Sequence, residues 1–144
     1  MYTGLKHLHS GMAYLALLAL ILAVLMALFG VLGKKSFTSS TKKVTLIALI
    51  LSHLQLVFGM ILYFVSHVGF KNLSGEVMKD TIARFNAIEH PLTMIIAIVL
   101  ITIGYSKAKR TDDSLAKHKN FLIFYGLGLF LILLRLPWHI WPGF

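Results

Sequence analysis

The chain has 144 residues, of which 58% are hydrophobic and 13% charged, with a mean hydropathy of +0.82 and a formal net charge of +9. So little polar sequence cannot cover the apolar side chains of one soluble core, which excludes a water-soluble domain and puts the chain in a bilayer. It contains no cysteine, so thiolate metal sites, disulfides and a covalently attached c-type haem are excluded as well.

Four apolar segments follow in chain order, at about residues 11–33, 44–68, 82–107 and 119–138, each near the ~20 residues that span a hydrocarbon core. They use almost the whole chain, and the expectation is one all-α transmembrane domain, an up-and-down four-helix bundle with no soluble domain. The first segment opens like a signal peptide. It is long, lacks a small-x-small cleavage site and runs straight into Lys34 and Lys35, so it reads as a retained helix. Ser39, Ser40 and Thr41 are candidate caps for the second segment. Asp80 or Thr81 can cap an amphipathic lead-in to the third through Ile82, Phe85 and Ile88. Pro91 marks either a kink just after His90 or a first helical turn. At the chain end, Pro137 stops the fourth helix, and Trp138 and Trp141 read as interfacial anchors.

Orientation comes from the basic residues. Lys34, Lys35, Lys42 and Lys43 lie between the first two helices, and Lys107, Lys109, Arg110, Lys117 and Lys119 between the last two. Lys6, Lys71, Lys79 and Arg84 lie on the other side, diluted by Glu76, Asp80 and Glu89. The positive-inside rule makes the two basic loops cytoplasmic and both termini periplasmic. The net charge is then a topology signal, supplemented by attraction to anionic headgroups of the lipid bilayer. Nucleic-acid binding is not expected, because the charge is split between short loops with no aromatic interleaving.

Seven histidines remain to be explained, and a titratable ring in hydrocarbon is a functional candidate by default. On the first helix His9, Ala13, Ala16, Ala19, Ala23, Ala27 and Gly30 recur at steps of three or four. On the third, Ala83, Ala87, His90, Met94, Ala97, Ile101 and Gly104 do the same. Stripes of small residues let a backbone or a flat ligand come close, and each stripe contains one histidine near the outward end. On the second helix His53, Met60 and His67 share one face and Ser52, Gly59 and Ser66 a neighbouring one. His53 is the deepest of the set. His7, His67 and His139 read as interfacial rings and His118 as a solvated residue of a lysine-rich loop.

In an up-and-down bundle the first and third helices are diagonal, so His9 and His90 can meet at similar depth at the bundle centre, with His53 in reserve. Two imidazoles in an apolar slot suit haem b better than a closed zinc site, which wants about four ligands. Arg135, read as buried near the outer end of the fourth helix, is a candidate cation for haem propionates, with Glu89 its alternative partner.

The stretches Leu8-His9-Ser10-Gly11, His53-Leu54-Gln55, Arg84-Phe85-Asn86-Ala87-Ile88-Glu89-His90-Pro91 and Pro137-Trp138 resemble a group of small bacterial four-helix membrane proteins labelled cytochrome B. The resemblance implies a multi-pass protein of the bacterial inner membrane carrying a b-type haem on histidines, with His9, His53 and His90 at the matching positions. Electron transfer with quinol or a periplasmic carrier, as a subunit of a respiratory assembly with partner membrane subunits, is the first expected function. A non-redox accessory subunit whose small-residue stripes pack on partner helices is the second, and a proton or solute relay through His53, Glu89 and Arg135 the third. No nucleophile, phosphate loop or hydrolase motif points to a stand-alone enzyme.

Overall fold

The computed structural model describes residues 1–142. Four helices dominate it: α1 (Tyr2–Leu32), α2 (Ser39–Val65), α3 (Thr81–Lys109) and α4 (Ser114–Leu134), each long and apolar enough to cross a membrane. No strand occurs among the described residues. The protein is an all-helical, multi-pass membrane chain, and Leu18, Ile50, Val99 and Phe130 are among the many large apolar side chains exposed on its outside, where lipid replaces water as solvent.

The helices start earlier than hydropathy alone suggests, because caps rather than charges set their ends. Thr38, not Ser39 to Thr41, is the cap of α2: its hydroxyl accepts from the Thr41 amide at 3.2 Å. Asp80 caps α3 through the Ala83 amide at 2.7 Å, and Asp113 caps α4 through the Ala116 amide at 2.7 Å. Each supplies a side-chain oxygen to one of the amides that a helix start leaves unpaired. The long stems of Lys42, Lys43, Lys117 and Lys119 can then extend along the helix towards water, so these lysines sit inside the first turns of α2 and α4. At the other end of α1, the Lys34 and Lys35 amides turn back to the carbonyls of Val31 and Gly30. Lys34 takes the left-handed conformation that such a turn demands, with φ of 47°.

Neighbouring helices in the sequence pack against each other, and α4 closes the ring on α1. That leaves α1 diagonal to α3 and α2 diagonal to α4. The solid part of the core occupies the basic half of the bundle, where Leu20, Ala23, Ala27, Ala48, Ile101, Phe121 and Tyr125 are buried together. Tyr125 spans the diagonal, its hydroxyl donating to the carbonyl of Thr45 at 2.8 Å. The small residues of both stripes are used here: α3 and α4 approach so closely that a Cβ on Gly128 would lie 2.6 Å from Ile101 Cγ1. The alanine and glycine stripes of α1 and α3 are turned inward, with Gly30 against His118 and Gly104 against Phe124 of α4.

The half of the bundle nearer the termini is built around an irregularity. In α3, residues Phe85–Glu89 form one wide π turn before the regular helix resumes at His90. Proline has no amide to give to the carbonyl four residues back, so Pro91 denies that of Ala87 its ordinary helical donor. Tyr63 of α2 fills the gap, its hydroxyl donating to Ala87 O at 2.9 Å. Helix, kink and lead-in are thus one continuous element with His90 at the joint.

Candidate cofactor cavity

The terminal half encloses a cavity of about 380 Å³ among all four helices. Small and apolar side chains such as Ala13, Ala16, Gly59, Met60 and Met94 form most of its wall, and both His9 and His90 line it. A pocket of this size, apolar with a few polar groups converging on it, has the character of a small-molecule or cofactor site.

His90 is held in a defined orientation. Its Nδ1 lies 2.7 Å from the carbonyl oxygen of Arg135, at the end of α4. A carbonyl can only accept, so Nδ1 carries the proton and Nε2 keeps its lone pair free for a ligand. Histidines that bind metals are typically fixed this way, by a backbone or carboxylate acceptor on the other nitrogen. The π turn and Pro91 supply the orientation, because a wide turn rotates every later side chain relative to those before it.

His9 is placed differently. The Gln55 side chain on α2 donates to the His9 backbone carbonyl at 2.9 Å, which fixes the amide, and lies a long 3.4 Å from His9 Nε2. That second contact is weak, and the other ring nitrogen, Nδ1, is buried with no partner at all. Gly59 makes room for the ring: a Cβ there would stand 3.0 Å from His9 Cε1. Two more polar atoms of the cavity wall, Gln55 Oε1 and Trp141 Nε1, are likewise buried without a hydrogen-bond partner. Three such atoms around one cavity need an explanation, since buried polar groups are nearly always paired.

The other expected site residues lie elsewhere. His53 is exposed on the outside of the bundle, its Nδ1 donating to the Leu49 carbonyl at 2.8 Å and its Nε2 3.2 Å from Thr102 Oγ1 on α3. The face of α2 that turns inward is the Ser52, Gly59 and Ser66 stripe, with Met60 at its edge. Arg135 is not buried: its side chain is 40% exposed and sits 3.6 Å from Glu89, which also pairs with Arg84 at 2.8 Å. Of the two partners expected for Arg135, the structure has Glu89. The cation that does line the cavity is Lys6.

Gln55, Gly59 and Trp141 are not expected in the wall from the sequence. Gln55 and Gly59 lie one turn apart, a spacing that puts an amide and a gap on one helix face, and Trp141 returns over the cavity to contact Tyr14 at 4.7 Å between ring centroids. Trp138 behaves as an anchor should, exposed and hydrogen-bonded to the Leu133 carbonyl. His118 is the opposite of the solvated residue expected, being 1% exposed within the first turns of α4. Among the described residues no three histidine or carboxylate side chains gather as a metal site. Comparison with known families, curated proteins and solved structures finds no match for the chain.

Proposed function

We propose that the cavity takes a b-type haem ligated by His9 and His90, and that the protein is a membrane electron-transfer component. The observation that carries the reading is one cavity lined by two imidazoles from diagonal helices, one of them with its Nδ1 proton committed to a backbone carbonyl. The donor set suits the group: two imidazoles that would hold it, walls of alanine, glycine and methionine, and Lys6 as a cation for propionates. Such a cofactor would supply one-electron redox chemistry. The residues do the rest. His90 is held to one tautomer by Arg135 O, Gly59 leaves space for the His9 ring, and Gln55 and Trp141 offer buried polar atoms to the wall.

With the basic loops cytoplasmic, the cavity lies towards the periplasmic side of a bacterial inner membrane, within reach of quinol or a periplasmic carrier. The two rival readings have less support. The small-residue stripes are consumed within the bundle, which removes the surface an accessory subunit would offer to partner helices. His53 is hydrogen-bonded to Thr102 and the Glu89–Arg135 pair makes its contacts with Arg84 and His90, so the proposed relay is not joined up. Purification from haem-replete cells in mild detergent tests the proposal: one haem per chain, reducible by a quinol analogue, is expected, and haem-free protein would refute it.

A further inference from the structure

At the opposite, basic end a second cavity of about 560 Å³ opens beside the end of α1, lined by Gly30, Lys35, Ser36, Thr38, Thr41 and His118, with Met26 and the lipid-exposed Phe29 alongside. Its construction is specific. His118 is 1% exposed, and neither of its ring nitrogens has a hydrogen-bond partner. The ring lies flat against Gly30, where no Cβ could be accommodated, and packs 5.2 Å from the ring of Phe37. Phe37 is in turn strapped to α4, its amide donating to Ser114 Oγ at 2.9 Å. The chain thus holds a buried imidazole in place without giving it a partner, which forfeits the hydrogen bonds the ring would make in water.

The other polar side chains of the wall are donors, and among the described residues no carboxylate lines the cavity. Lys35 brings a full charge and Ser36 a hydroxyl. The hydroxyls of Thr38 and Thr41 share one bond at 3.0 Å, which uses one of their two protons and leaves the other to give away. The unpaired amides at the start of α2 add positive potential on the same side.

We propose that this cavity binds a phosphate group, either the headgroup of an anionic lipid or free phosphate, through Lys35, Ser36, the Thr38–Thr41 pair and His118. Phosphate oxygens are strong acceptors for this donor set, and a cationic side chain makes such bonds about twice as strong as neutral ones. The site is separate from the histidine cavity, and its success or failure leaves the haem proposal untouched.

The test uses the full chain in phosphatidylcholine nanodiscs at fixed ionic strength, titrated with dioctanoyl phosphatidylglycerol, with inorganic phosphate and with uncharged dioctanoylglycerol. Saturable binding, with movement of the His118 imidazole nitrogen resonances, is expected for at least one of the two phosphate probes and not for dioctanoylglycerol. Response to phosphatidylglycerol alone identifies a lipid headgroup, and response to inorganic phosphate a site for the free anion. Lys35→Gln should weaken binding roughly tenfold, the loss of one hydrogen bond to a charged group. Lys119→Gln, which removes the same charge from the same end outside the cavity, should leave it within about twofold because exposed charges are screened. The proposal is overturned if neither phosphate probe moves the His118 resonances, or if the two lysine substitutions weaken binding equally. The resonances are read in the unaltered protein, so the outcome does not depend on a His118 variant that folds.

Discussion

Single side chains explain why His90 and His9 differ from His53. A histidine in a membrane helix must find partners for both ring nitrogens or leave one for a ligand. His53 finds two and faces outward; His90 finds one, and His9 only a weak contact. Depth and heptad spacing, which make His53 look central, say nothing about which way a face turns. The small residues do carry that information on α2, where Ser52 and Gly59 mark the inner face as the alanines do on α1 and α3. His118 is obscured by its neighbours: Lys117 and Lys119 look like a solvated run, yet one helical step between them points inward. Two substitutions follow at this scale. Lys34→Gly should stabilise the protein by about 1 kcal/mol in chemical or thermal unfolding, because glycine adopts positive φ without the penalty that a side chain incurs. Tyr63→Phe should destabilise by ~1–3 kcal/mol, since it removes the hydroxyl that donates to the carbonyl of Ala87.

The element that matters most is α3, whose π turn joins an interfacial lead-in to a membrane-spanning helix. The sequence left the cap to Asp80 or Thr81 and Pro91 to a kink or a first turn. Asp80 is the cap, and Pro91 opens the regular helix after a wide turn, which was not legible because its Ala87 carbonyl takes a donor, Tyr63, from another helix. Pro91→Ala restores an amide that can bond Ala87, which should favour a regular helix, rotate His90 and weaken its bond to Arg135 O. Haem retention in that variant should fall while helicity by circular dichroism stays unchanged. Gly59→Val is the matching change on α2: it should push the His9 ring aside and reduce haem content without unfolding the bundle. The ends of α3 and α4 are tied by Glu89, which lies between two arginines. Its 2.8 Å contact with Arg84 is closer than the 3.6 Å one with Arg135, and all three side chains are partly solvated. Arg84→Leu is therefore expected to cost more than Arg135→Leu in unfolding free energy, each within the ~0–1 kcal/mol typical of exposed pairs. Because His90 uses the backbone of residue 135, Arg135→Leu should keep its haem.

Over the whole molecule, the division of labour runs along the bundle axis. The basic half has its packed core around Tyr125, with a cavity only at its end beside His118, and the half nearer the termini is hollow around His9 and His90. Composition alone was enough for four membrane helices, and short loops for their order around the ring. The hollow was not legible, since alanine and glycine stripes read the same whether they meet another helix or a ligand. Orientation has its own test: with no native cysteine, a single cysteine at Ser39 should resist labelling from outside intact cells, whereas one at Thr3 should react. The most direct test of the cavity's role compares reduced-minus-oxidised visible spectra of the purified protein and of its His9→Ala, His90→Ala and His53→Ala variants. Sharp low-spin b-type bands are expected in the unaltered protein and in His53→Ala, and their loss in the other two. A spectrum without such bands in the unaltered protein, or bands that vanish only in His53→Ala, would contradict haem ligation by His9 and His90.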